Sequence, residues 1–106
     1  MSILNQKTIN QKITFSGVGL HTGQKVEISL LPSAPNTGIN FKRIDISKNN
    51  IIIPSFNNVT ETNLCTTLSN EHGIKVSTVE HLMGALYGLG IDNLLIEINS
   101  QELPIL

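Results

Sequence analysis

A change of hydrophobic period, from two residues to the helical 3.6 and back, constrains this chain more than any other feature. Ile13 and Phe15 alternate with Thr14 and Ser16, and Val26, Ile28 and Leu30 alternate with Glu27 and Ser29, the spacing of half-buried strands. Between them Gly17-Val-Gly-Leu-His-Thr-Gly23 predicts a hairpin with a wide, irregular connection. Ile39 and Phe41 open a third strand after the turn-rich Leu31–Gly38 stretch,. Ile51-Ile-Ile53 ahead of Pro54 predicts a short edge strand, because proline cannot donate to a ladder,. Leu64, Thr66 and Leu68 continue the alternation, and Asn70-Glu-His-Gly73 forms a turn. The period then switches: Val79, Leu82, Met83 and Leu86 stand at i, i+3, i+4 and i+7, an apolar helical stripe. Ser77 with Glu80 three residues on matches a capping box, and Gly88 or Gly90 can end the helix,. Leu94, Ile96 and Ile98 return to strand spacing. The expectation is an α+β fold, a sheet with one helix laid on one face.

Composition narrows the function classes. A chain of 106 residues with 40% hydrophobic and 14% charged residues makes one folded domain and not a disordered segment. Its net charge of −1 removes the electrostatic case for a nucleic-acid partner, which needs a basic face. The lone Cys65 excludes an internal disulfide framework and fits a reducing cytosol. No apolar run approaches the ~20 residues that span a bilayer, and the first residues lack the pattern of a signal peptide,. The expected location is cytoplasmic. The apolar ending at Pro104-Ile-Leu106 reads as the edge of a fragment. On that reading Leu94–Ile98 and Leu103, Ile105 and Leu106 would present an uncovered apolar patch.

Two places could carry chemistry. If the helix starts near Ser77, Glu80 points roughly 110° and His81 roughly 150° from the centre of the apolar stripe. Gly84 lies between their directions one turn on, flanked by Ala85, so the pair stands above small residues that leave room. Histidine serves as a metal ligand or proton carrier near neutral pH, and a carboxylate beside it can activate water. On pattern alone the simpler reading is a capping glutamate beside a solvated histidine. The glycine-rich loop carries His21 but is neither a phosphate-binding nor a dinucleotide-binding fingerprint, and Cys65 reads as a small strand residue.

Three motifs occur in series: Gly17-Val-Gly-Leu-His-Thr-Gly23, Thr62-Asn-Leu-Cys-Thr66 and Ser77-Thr-Val-Glu-His-Leu82, the last followed by Gly88-Leu-Gly-Ile-Asp-Asn93. Together with Asn36-Thr-Gly38 and Glu102-Leu-Pro-Ile105, they make the whole chain resemble the N-terminal part of the UDP-3-O-acyl-N-acetylglucosamine deacetylase family, zinc hydrolases of lipid A synthesis in Gram-negative bacteria. The resemblance implies a two-layer sandwich as the first of two related domains. It makes 1–106 an N-terminal domain cut before its last helix, with the second domain absent. It implies that His81 is a zinc ligand, that Glu80 is the general base for the attacking water, and that Leu20, His21, Leu64 and Cys65 line the substrate region. The remaining metal ligands, a further histidine and the acyl-chain passage would belong to the absent domain. The implied substrate is UDP-3-O-acyl-N-acetylglucosamine, deacetylated to a free amine. The alternative expectation is a truncated, non-catalytic folding or binding module.

Overall fold

The computed structural model describes residues 6–54, 59–61 and 66–105. The first two strands, β1 (Ile13–Gly19) and β2 (Lys25–Pro32), form the expected antiparallel hairpin, with Phe15 opposite Ile28 and Gly17 opposite Val26. β3 (Ile39–Arg43), β4 (Ile51–Ile52), β8 (Leu94–Ile98) and β9 (Pro104–Ile105) complete a six-stranded sheet in the order β4-β3-β8-β2-β1-β9. The pair β3/β8 is parallel and the other pairs are antiparallel. β4 lies at an edge, as its proline required. One face of this sheet contributes Val26, Ile28, Phe41, Ile52, Leu94, Ile96 and Ile98, each at most 1% exposed. The other face mixes polar residues with Leu31 and Leu95, and on it Thr14 Oγ1 and Ser29 Oγ lie 2.9 Å apart in a cross-strand hydrogen bond.

The sequence predicts one sheet, and the structure has two. β5 (Val59–Glu61), β6 (Thr66–Ser69) and β7 (Lys75–Ser77) pair antiparallel in a separate three-stranded sheet. These short strands pair with their immediate neighbours in the chain. Arg43 Nη1 donates to the Lys75 carbonyl at 3.0 Å and Asn70 Nδ2 to the Ile51 carbonyl at 3.0 Å, tying the small sheet to β3 and β4. Leu68 and Val76 enter the same core as the large sheet, together with Val79 and Leu86. The small sheet therefore supplies cover that a single helix could not. This overturns the expected apolar patch: Leu94, Ile96 and Ile98 are fully buried and Leu103 is 3% exposed, while the Ile105 side chain and Leu106 lie outside the described residues.

Helix α1 (Glu80–Gly88) buries Leu86 and half-buries Leu82 and Met83 against this core, leaving Gly84, Ala85 and Tyr87 exposed. It starts two residues later than a cap at Ser77 would place it, and there is no capping box. Ser77 is committed to backbone pairing: its N–H donates to the Gln101 carbonyl at 2.8 Å and its carbonyl accepts from Leu103 at 3.0 Å. Thr78 then turns the chain in the left-handed region at φ 62°. Val79 occupies the N-cap with helical dihedrals and no side-chain cap. At the other end the Gly90 N–H donates to the Tyr87 carbonyl at 3.1 Å and the Ile91 N–H to the Leu86 carbonyl at 3.0 Å, a Schellman closure that places Gly90 at φ 73°,. The chain then enters β8, where Asp92 and Asn93 N–H groups both donate to the Lys7 carbonyl and Asn93 Oδ1 accepts the Gly38 N–H at 2.9 Å.

Gly90→Ala places a Cβ in that left-handed position at a cost of about 1 kcal/mol. Thermal denaturation should show a midpoint lowered by about 5 °C; an unchanged midpoint would mean that the helix does not end in this closure.

Candidate functional site

The left-handed turn at Thr78 delivers the first turn of α1 beside the connection between β1 and β2. A cleft of about 510 Å³ opens there. Its walls are largely apolar, with Phe15 and Ile28 from the large sheet, Leu82 from the helix, and Leu20 and Leu103 from the flanking segments. Thr78, Glu80 and His81 add the polar groups. A mostly apolar recess with a few convergent polar groups is the usual form of a small-molecule site. Glu80 is half-buried and His81 exposed, in keeping with their expected directions away from the apolar stripe. A carboxylate on the first turn is also favoured by the helix dipole.

The structure thus brings Leu20, Glu80 and His81 to one cleft. It does not bring His21 there. That residue lines a neighbouring polar hollow of about 610 Å³ together with Arg43, Asp45 and Glu102. Asp45 is bound by Arg43 through two hydrogen bonds at 2.6 and 3.1 Å, and that partner holds its carboxyl below the usual range despite partial burial. Leu64 and Cys65 lie outside the described residues.

Between the two recesses stands a group that no local pattern singled out. Glu102 is 2% exposed, and a buried carboxylate needs hydrogen-bond donors around it. Its Oε1 accepts N–H bonds from His21 at 3.0 Å and Thr22 at 3.1 Å. Its Oε2 accepts from His21 N–H at 3.1 Å and from Thr78 Oγ1 at 3.2 Å, with His21 Nε2 at 3.8 Å. Burial opposes ionisation, but the Thr22 and His21 amides, the Thr78 hydroxyl and the His21 ring outweigh it and hold Glu102 below its ordinary value,. Gly19 makes room for the arrangement: a Cβ there would overlap Glu102 Oε1 and stand 2.6 Å from Thr22 Oγ1. In sequence only the tight glycine spacing at 17, 19 and 23 hints at such a close approach. Thr78 gives its hydroxyl to Glu102 and does not cap α1.

The sequence profile of the UDP-3-O-acyl N-acetylglycosamine deacetylase family matches residues 6–106. The chain belongs to this family. It is 47% identical over 104 residues to the UDP-3-O-acyl-N-acetylglucosamine deacetylase of Haemophilus influenzae (strain PittEE), covering 98% of this chain and 34% of that protein. The enzymes of the same name from Wigglesworthia glossinidia brevipalpis and Colwellia psychrerythraea are 47% and 49% identical, each over 98% of this chain and 35% and 34% of those proteins respectively. The chain spans about a third of the length of these relatives. No helix among the described residues is long and apolar enough to cross a membrane.

Two outcomes follow from the buried carboxylate. Gly19→Ala must displace Glu102 or Thr22, so overpacking should lower stability by about 1–3 kcal/mol; a parental denaturation midpoint would show that the contact yields freely. Because the folded-state value of Glu102 lies below its unfolded value, its charge stabilises the fold above the ordinary 4.5, and this contribution is lost as pH falls through the lowered value. The stability difference between parent and Glu102→Gln should accordingly be largest above that pH and shrink under acid; a difference independent of pH would contradict it.

Proposed function

We propose that the chain is the N-terminal domain of a zinc-dependent deacetylase that removes the acetyl group from UDP-3-O-acyl-N-acetylglucosamine, on the path to lipid A, in the cytoplasm of a Gram-negative bacterium. The observation that carries this reading is the placement of Glu80 and His81 together on the first turn of α1, both lining a cleft shared with Leu20. Family membership supplies the reaction class. His81 fits a metal: its imidazole is exposed, and among the described residues no hydrogen bond or ion pair engages it. The same residues include no group of three or more His, Cys, Asp or Glu able to hold a metal ion. His81 would therefore be one ligand, and the others would come from the second domain of the full-length protein, leaving this chain inactive when alone.

When bound, zinc supplies Lewis acidity and lowers the pKa of a water to about 7. Glu80 takes the proton from water as its oxygen attacks the acetamide carbonyl carbon. Collapse of the tetrahedral adduct breaks the C–N bond as the nitrogen takes up the proton that Glu80 had accepted, and acetate and a free amine result. Leu20 and the apolar cleft wall hold the substrate against this first turn and limit the water that reaches it. His21, Leu64 and Cys65 line the substrate region on this reading.

In the full-length protein Glu80→Gln keeps the side chain's shape and removes its basic lone pair. Turnover should fall about 10²–10⁴-fold with zinc content retained, whereas His81→Ala should lose zinc and turnover together. Parental turnover in Glu80→Gln with a lowered melting temperature would make Glu80 a structural residue; parental zinc affinity in His81→Ala would remove His81 from the ligand set.

A further inference from the structure

The residues of the proposed reaction do not include Glu102, yet the fold is arranged around it. Its carboxylate is bonded to two segments that approach from different parts of the chain. One is the β1–β2 connection, through the N–H groups of His21 and Thr22. The other is Thr78, through Oγ1 at 3.2 Å. Thr78 is a β-branched residue at φ 62°, a conformation such residues avoid unless their surroundings impose it. It is also the residue at which the chain leaves β7, one position before the N-cap and two before Glu80. The backbone fixes the same junction, since Ser77 bridges in parallel to Glu102. Gly19, whose missing side chain admits the carboxylate, completes the fit.

We propose that Glu102 is a positioning residue whose carboxylate holds Thr78 in its left-handed turn and ties that turn to the Gly19–Thr22 segment, setting the first turn of α1, and so Glu80 and His81, against Leu20. This rests on the deacetylase reading for its catalytic consequence and deepens it by naming what aims the groups. The carboxylate acts through hydrogen bonds. A glutamine at 102 can present its oxygen to the His21 and Thr22 amides and its NH₂ to Thr78 Oγ1, which also accepts. Alanine offers neither. A displaced first turn matters because misplacement of about 1 Å at a reacting centre costs on the order of 10²-fold in rate.

The test uses the full-length, zinc-loaded protein and two readouts: the Thr78 backbone conformation from its Cα and Cβ chemical shifts, and kcat and KM per folded molecule. Glu102→Ala should release Thr78 from the left-handed region and lower kcat by about 10-fold or more, with Glu102→Gln restoring most of both. Adding Thr78→Gly to Glu102→Ala should recover part of kcat, because glycine adopts the turn without the clamp. If Glu102→Ala does not fold, Thr78→Val isolates the same bond. It removes only the hydroxyl and leaves the His21 and Thr22 amides on Glu102, so kcat should fall while KM stays near parental. Thr78 remaining left-handed, or kcat remaining parental in the variant used, would overturn the proposal; a merely structural Glu102 would lower the melting temperature alone. Glu80→Gln run alongside separates the two claims. If the parent shows no turnover, or Glu80→Gln leaves it intact, the deacetylase reading fails. The Thr78 shifts then decide the clamp, their change supporting it and their persistence overturning it.

Discussion

A carboxylate taken out of water has to be surrounded by donors, and the Glu102 carboxylate recruits its donors from distant parts of the chain. The His21 and Thr22 amides and the Thr78 hydroxyl are separated from it by 81, 80 and 24 positions. Meeting that one requirement brings the β1–β2 connection, the end of β7 and the approach to β9 to a single point. The two recesses of the molecule lie on either side of it, one lined by Leu103 and the first turn of α1, the other by His21 and Glu102 itself. Consecutive residues Leu20 and His21 face different recesses for the same reason, since the main chain between them is held by its own amides on the carboxylate.

The rest of the core makes that point rigid. β2 and β8 occupy the middle of the large sheet and bring Ile28 opposite Ile98 and Leu30 opposite Ile96. The small sheet and α1 close over this face through Leu68, Val76, Val79 and Leu86. Protein interiors packed at such density resist small displacements, so the direction in which α1 leaves Thr78 is set from both sides. The helix is short, and only Leu86 on it is buried; its orientation depends on its two ends, the turn at Thr78 and the closure at Gly90, more than on the breadth of its packing.

What was legible in the sequence is what depends on local period. β1, β2, β3, β8, the edge position of β4 and the body of α1 follow from alternation and from the stripe through Leu82, Met83 and Leu86, and the three motifs in series were enough to point to the family. The helix start was misread because Ser77 and Glu80 carry a local capping signature, whereas Ser77 is claimed by backbone pairing with Gln101 and Leu103. The second sheet was missed because its strands are three or four residues long, too short for a period to separate them from the main sheet. The expected patch at Leu94, Ile96 and Ile98 rested on the absence of a following helix, whereas the small sheet and α1 cover this face. Of the candidate site, Leu20, Glu80 and His81 line one cleft and His21 its neighbour, and Leu64 and Cys65 fall outside the described residues. Glu102 was invisible as a site residue because nothing near it in sequence signals partners some eighty residues away.

The central claim is that the first turn of α1 presents an imidazole to a metal and a carboxylate to water. Anomalous X-ray diffraction at the zinc edge, on crystals of the full-length protein grown with zinc, tests it most directly. The account predicts a single strong peak bonded to a ring nitrogen of His81, with its other protein ligands supplied from beyond Leu106 and the Glu80 carboxylate directed into the cleft without bonding the metal. A zinc peak away from His81, or one to which Glu80 is itself a ligand, would contradict it.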